Sequence, residues 1–159
     1  MKVLTLYFSI VFILFFSSCA KKITVNQQQS VDYYRNGKVN YISSNKGLLT
    51  LSSENVGENI NKAAHFAEIN ALENILFKGI QGSSQEDPII SDEISAFREN
   101  NLALKSLIFE NEYKLYLTES LVLETYKGNP MTVVQKVTFD IPALRKYLEK
   151  NNIIRKFGL

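Results

Sequence analysis

The sequence predicts an α+β domain: an antiparallel sheet of three to four strands packed by an alanine-striped helix and two further helices. Three observations predict it. Ile60, Ala64, Ala67, Ala71 and Ile75 recur at helical spacing within residues 58–78. The apolar period then shortens to that of a strand across residues 113–126 and 131–139, with Lys127-Gly128-Asn129-Pro130 between them as a turn. A second alternating pair, residues 39–43 and 47–53, flanks the turn-like run Ser43-Ser44-Asn45-Lys46-Gly47. At 159 residues the chain is one domain by length, with enough of it to bury a core without disulfides.

Taken in order, the chain opens on Lys2 and an apolar run from Val3 to Phe16, followed by Ser17, Ser18 and Cys19, its only cysteine. A positive start, a short apolar run and small residues before a cleavage point make a secretory signal peptide. The apolar run, about 14 residues, is shorter than the ~20 a helix needs to cross the hydrocarbon core, which disfavours a transmembrane anchor. An ordinary signal peptide beside a chance cysteine is the other alternative. With Cys19 directly after the small pair, the segment resembles the bacterial lipoprotein signal. Phe16 departs from the aliphatic residue that family usually carries three positions before the cysteine. The resemblance implies cleavage before Cys19, a diacylglycerol thioether on its sulfur and an acyl chain on the new N-terminus. The expected organisation is signal peptide 1–18, lipidated cysteine and polar tether 19–38, and a single α+β domain 39–159.

Residues 20–35 are mostly polar, with Gln27, Gln28 and Gln29 at their centre, and read as a tether. Lys21 and Lys22 suit either anionic lipid headgroups or plain solvation. Ala20 is not the aspartate that retains lipoproteins at the inner membrane in the families resembled. The resemblance therefore implies an outer-membrane anchor and a domain facing the periplasm.

Within the domain, Leu49 and Leu51 point to one face of their strand and Leu48 and Thr50 to the other. The helix over 58–78 has Glu58 in its first turn, Ile69, Leu72 and Leu76 as a second apolar strip, and Phe66 and Phe77 further round. Gly79 follows as its C′ residue. Pro88 keeps helix out of the loop over 82–88. Ser91 is the expected cap of the next helix, with Asp92 and Glu93 in its first turn, Ile94, Phe97, Leu104, Leu107 and Ile108 as its stripe, and a break at Asn100-Asn101. Alternation over 113–126 puts Tyr113, Leu115, Leu117, Leu121 and Leu123 on one face of a strand. Asp140 caps the last helix, Pro142 sits in its first turn, and Ile141, Leu144, Tyr147 and Leu148 form its stripe. Ile153, Ile154 and Phe157 make an apolar tail that docks on the domain or awaits a partner.

The segment Ala63-Ala64-His65-Phe66-Ala67-Glu68-Ile69-Asn70-Ala71-Leu72, with Ile75-Leu76-Phe77-Lys78-Gly79-Ile80, is similar to the small periplasmic domains of LPP-twenty-type lipoproteins and to the N-terminal domain of flagellar FlgT proteins. That resemblance implies a helix on an antiparallel sheet and a scaffold role in an envelope machine, with no catalytic residues to carry over.

Formal charge is +2, and about +1 once Lys2 leaves with the signal. No basic patch of nucleic-acid type appears, so nucleic acid is not an expected partner. The chain has no Gly-rich phosphate loop, nucleophile elbow, zinc-protease motif or calcium loop, and no cofactor, metal site or enzymatic activity is expected. His65 is the only histidine and reads as a packed or half-exposed side chain. Glu110 and Glu112 read as solvated, and Glu86-Asp87 as a loop pair. The leading expectation is a structural or accessory lipoprotein, membrane-bound through Cys19, that docks other envelope proteins. A small-ligand-binding lipoprotein with a pocket between helices and sheet comes second, and an enzyme built around His65 third.

Overall fold

A computed structural model describes residues 33–35 and 37–156. They form an α+β domain with one open antiparallel sheet of four strands and three α-helices. The strands are β1 (Val39–Asn45), β2 (Leu48–Gly57), β3 (Leu117–Tyr126) and β4 (Met131–Asp140), in spatial order β1-β2-β4-β3. The helices are α1 (Ile60–Phe77), α2 (Glu93–Phe109) and α3 (Ile141–Lys150), with a 3-10 turn at Glu112–Leu115. No described helix is long and apolar enough to cross a membrane.

Both expected hairpins form. In the first, Lys46 and Gly47 both take positive φ, which matches the right-handed twist of the flanking strands. β2 and β4 are the central strands, and their alternation holds throughout. Leu49, Leu51, Ser53 and Asn55 face the helices opposite Phe139, Val137, Gln135 and Val133. The inner face is therefore apolar at its Leu49–Phe139 end and polar at its Ser53–Gln135 end.

β3 departs from the expected pattern. Tyr113 lies in the 3-10 turn, and the strand begins only at Leu117. Its pairing with β4 shifts register between Leu117 and Glu119 and again between Val122 and Glu124. Each bulge inserts one residue and reverses the faces beyond it. Leu117, Ser120, Val122 and Thr125 thus sit on the helix side, opposite Phe139, Val137, Gln135 and Val133, while Leu121 moves to the open face opposite Lys136.

α1 lies across β2 and β4. Its N-cap is Asn59, whose Oδ1 accepts from Lys62 N at 2.9 Å, so Glu58 precedes the helix instead of opening it. The line in closest contact is Ala63, Ala67 and Ala71, all fully buried, whereas Ala64 is only half-buried and Ile60 is exposed. Buried positions also include Ile69, Leu72 and Leu76, so the helix is covered on several sides. α2 is capped by Asp92 and not by Ser91; its two carboxylate oxygens take Ser95 N at 3.0 Å and Ser95 Oγ at 2.7 Å. Asn100 leaves helical geometry at φ −127°, ψ 33°, which kinks α2 at the expected break. Asp140 caps α3 through Ala143 N at 2.9 Å, and Leu144 and Leu148 are fully buried. Ile153 and Ile154 pack on the core; Phe157 lies outside the described residues.

Gly79 ends α1 at φ +78°, its N–H bonded to Asn74 O at 2.8 Å. A Cβ there would stand 1.9 Å from the carbonyl oxygen of Glu86. Gly82 shares the positive φ but would meet nothing. Gly79→Ala is expected to destabilise the domain by about 2 kcal/mol or more in urea unfolding, and Gly82→Ala by roughly 1 kcal/mol. Equal losses would show that the Glu86 contact is relieved without cost.

Candidate functional site

The polar end of the inner face is completed by side chains from four elements. α1 places His65 and Glu68 one turn apart on the side facing β3 and the 3-10 turn. The 3-10 turn contributes Tyr113, the first bulge of β3 turns Ser120 inward, and β4 contributes Gln135. Glu68 is buried, and its carboxyl accepts from Tyr113 Oη at 2.6 Å, Ser120 Oγ at 2.6 Å and Gln135 Nε2 at 3.1 Å. Gln135 also donates to Ser120 Oγ. Among the described residues Gln135 Oε1 is buried without a partner.

Because Tyr113 spends its proton on Glu68, its oxygen accepts from His65 Nδ1 at 3.0 Å, which sets the proton of the neutral ring on Nδ1. Burial and the Glu68 carboxyl push the Tyr113 phenol well above its ordinary range. Glu68 thus joins α1, the 3-10 turn, β3 and β4 through three hydrogen bonds. The arrangement serves cohesion, and nothing in the helical spacing of residues 58–78 signals it.

Partial burial lowers the His65 pKa; Glu68 opposes the shift and Lys114 adds to it. A folded-state pKa below the unfolded one means that the unfolded chain binds the proton more readily. The contribution of His65 to stability is therefore full above the ordinary histidine pKa of about 6.5 and is lost as pH falls through the lowered folded value. Replacing it with Gln is expected to flatten the stability-versus-pH curve between that value and about 6.5, as urea midpoints across pH would reveal. An unchanged slope would exclude His65 as its source.

A second polar group holds the segment before β1. Glu73 of α1 is buried and accepts from Tyr33 Oη at 2.6 Å and from Arg35 Nε at 3.0 Å; Arg35 also reaches Glu93 at 2.7 Å. Asn70 donates to Gly37 O at 2.9 Å, and Asn55 to Tyr34 O at 2.9 Å. Nothing in the composition of residues 20–35 announces these contacts.

A third feature is a groove of about 760 Å³ between the second half of α2, the 3-10 turn and α3. Its edges carry Leu102 and Leu115, 86% and 77% exposed. Tyr116 and Tyr147 line it with ring centres 5.6 Å apart, and Tyr147 Oη reaches Glu112 at 2.9 Å and Ala103 O at 3.2 Å. Glu112 is thus tied to α3 instead of being left to solvent. Lys146 and Lys150 line the same groove.

The interface between α1 and the sheet, where a small-ligand pocket is expected, is filled at its apolar end by Leu49, Leu51, Leu72, Ile75, Val137 and Phe139, each at most 1% exposed. Among the described residues no three His, Cys, Asp or Glu side chains converge as a metal site requires. Cys19 lies outside the described residues. Comparison with known proteins gives no match to a protein family, a curated protein or a solved structure.

Proposed function

We propose that the chain is a bacterial envelope lipoprotein, anchored in the outer membrane through lipid on Cys19, whose periplasmic domain is a non-catalytic scaffold that docks other envelope proteins. The observation that carries the docking part is the α2–α3 groove. Leu102 and Leu115, both largely exposed, line the same groove as a tyrosine pair, and large apolar side chains grouped in this way mark interaction surfaces. The anchor part rests on the run from Lys2 to Cys19. The hydrogen-bonded, cohesive use of Glu68 and Tyr113 also favours a scaffold over an enzyme, and the filled α1–sheet interface favours a scaffold over a small-ligand role.

Two substitutions test the two parts. Cys19→Ala is expected to abolish metabolic labelling with palmitate, and persistent labelling would overturn the anchor. In crosslinking from native envelopes, the double substitution Leu102→Asp with Leu115→Asp is expected to lose the partners that the wild-type chain captures while labelling stays intact. Retention of the same partners would move docking away from this groove.

A further inference from the structure

We propose that the free edge of β3 pairs with β3 of a second copy of this chain, in an antiparallel two-fold arrangement that joins two four-stranded sheets into one. The inference is independent of the α2–α3 groove. Among the described residues β3 ends the sheet, and its ten residues present about 34 Å of backbone whose outer ladder groups pair with no described strand. Leu121, Val122, Leu123 and Tyr126 are 38–54% exposed, because α1 lies over β2 and β4 and barely reaches β3. An edge that is both unpaired and apolar calls for a strand as its partner.

The order of residues along β3 selects a second copy. With the two-fold between positions 123 and 124, Leu121 lies opposite Tyr126 of the partner subunit, and Val122 opposite Thr125 of the partner subunit. Leu121 and Tyr126 share the open face, and Val122 and Thr125 share the helix face, so the bulged strand matches itself face for face. Both pairings are of kinds that stabilise antiparallel ladders. Neither glutamate meets another: Glu124 faces Leu123 of the partner subunit, and Glu119 lies beyond the ladder, which runs over positions 121–126 of both strands. Moving the two-fold to between positions 121 and 122 would set Glu119 against Glu124 of the partner subunit, and Leu121 on the open face against Val122 of the partner subunit on the helix face. Charge and face together therefore reject the shifted register. A two-fold pair is also closed, leaving only the β1 edges at the ends of the joined sheet.

Sedimentation of the full-length chain in detergent, at matched detergent concentrations, tests this. The wild-type chain is expected to be a dimer. Leu123→Glu places a carboxylate opposite Glu124 of the partner subunit and is expected to weaken the dimer by roughly tenfold or more, while leaving the circular dichroism spectrum unchanged. Leu123→Lys places an ammonium there and is expected to keep the dimer. Ile42→Glu, on the opposite edge in β1, is also expected to keep it. A monomeric wild type, a dimer untouched by Leu123→Glu, equal dissociation by Leu123→Lys, or dissociation by Ile42→Glu would each overturn the proposal.

Discussion

Replacing Glu68 with alanine is expected to destabilise the domain by about 3–5 kcal/mol. The cost lies in the donors that the substitution strands. Tyr113 and Gln135 are buried, Ser120 is turned inward, and all three direct a donor at one carboxyl. Without it, the buried donors of Tyr113 and Gln135 face a gap while the exposed Ser120 hydroxyl turns to solvent, and an unsatisfied buried donor costs about 1–3 kcal/mol. Glu68→Gln keeps an acceptor and is expected to cost less. Tyr113→Phe removes one donor together with its need and is expected to cost about 1 kcal/mol. The double substitution Glu68→Ala with Tyr113→Phe is expected to cost less than the sum, because the second change removes a donor the first has orphaned. Urea unfolding with a constant slope would measure these differences. A loss below about 1 kcal/mol for Glu68→Ala would mean that the donors find other partners.

Phe139→Ala is expected to cost a similar amount, about 3–5 kcal/mol, for a different reason. Phe139 sits on the inner face of β4, directly between Leu49 of β2 and Leu117 of β3 in the ladder. It is fully buried and belongs to the main core cluster with Leu72, Ile75 and Leu144. Removing the ring leaves a cavity that two hydrogen-bonded neighbouring strands cannot easily collapse to fill. The next residue, Asp140, caps α3 and donates its N–H to Tyr116 O at 2.9 Å, so the backbone there is also held. Leu121→Ala, on the exposed edge strand, is expected to change stability by no more than about 0.5 kcal/mol in the isolated domain. A comparable loss at both positions would contradict the placement of the core.

Much of this architecture was legible where a single local rule governs. Leu49 and Leu51 alternate without interruption, Asp140 stands before a helical stripe, Gly79 follows one, and Asn100-Asn101 interrupts another; each element forms at or near its expected place. β3 was misread because a bulge is invisible to a period of two. Thr118 and Leu123 look like ordinary strand residues, yet the slip beside Thr118 sends Leu121 outward and Ser120 inward, and the slip beside Leu123 returns Thr125 to the inner face. The helix caps shifted by a position because Ser91 and Asp92 are both good caps, and only the loop geometry chooses between them. The polar cluster was missed for a deeper reason. Glu68 and Gln135 are 67 residues apart in the chain, and nothing local to either one signals the other. His65 alone hinted at it, as the sole histidine on the same turn of α1.

The contacts of Glu73, Asn55 and Asn70 with residues 33–37 give the domain a mechanical character. Tension applied along the chain from before Tyr33 would load the Tyr33 and Arg35 bonds to Glu73 first, together with the Asn55 and Asn70 bonds to the Tyr34 and Gly37 carbonyls. Only after these give way would the pull reach β1 and begin to peel an edge strand from β2. Because the load enters through the side of α1, the helix that spans the sheet, it is shared with the best-buried part of the molecule. The segment ahead of β1 acts in this sense as a strain relief, much as a clamp on a cable spares the joint behind it.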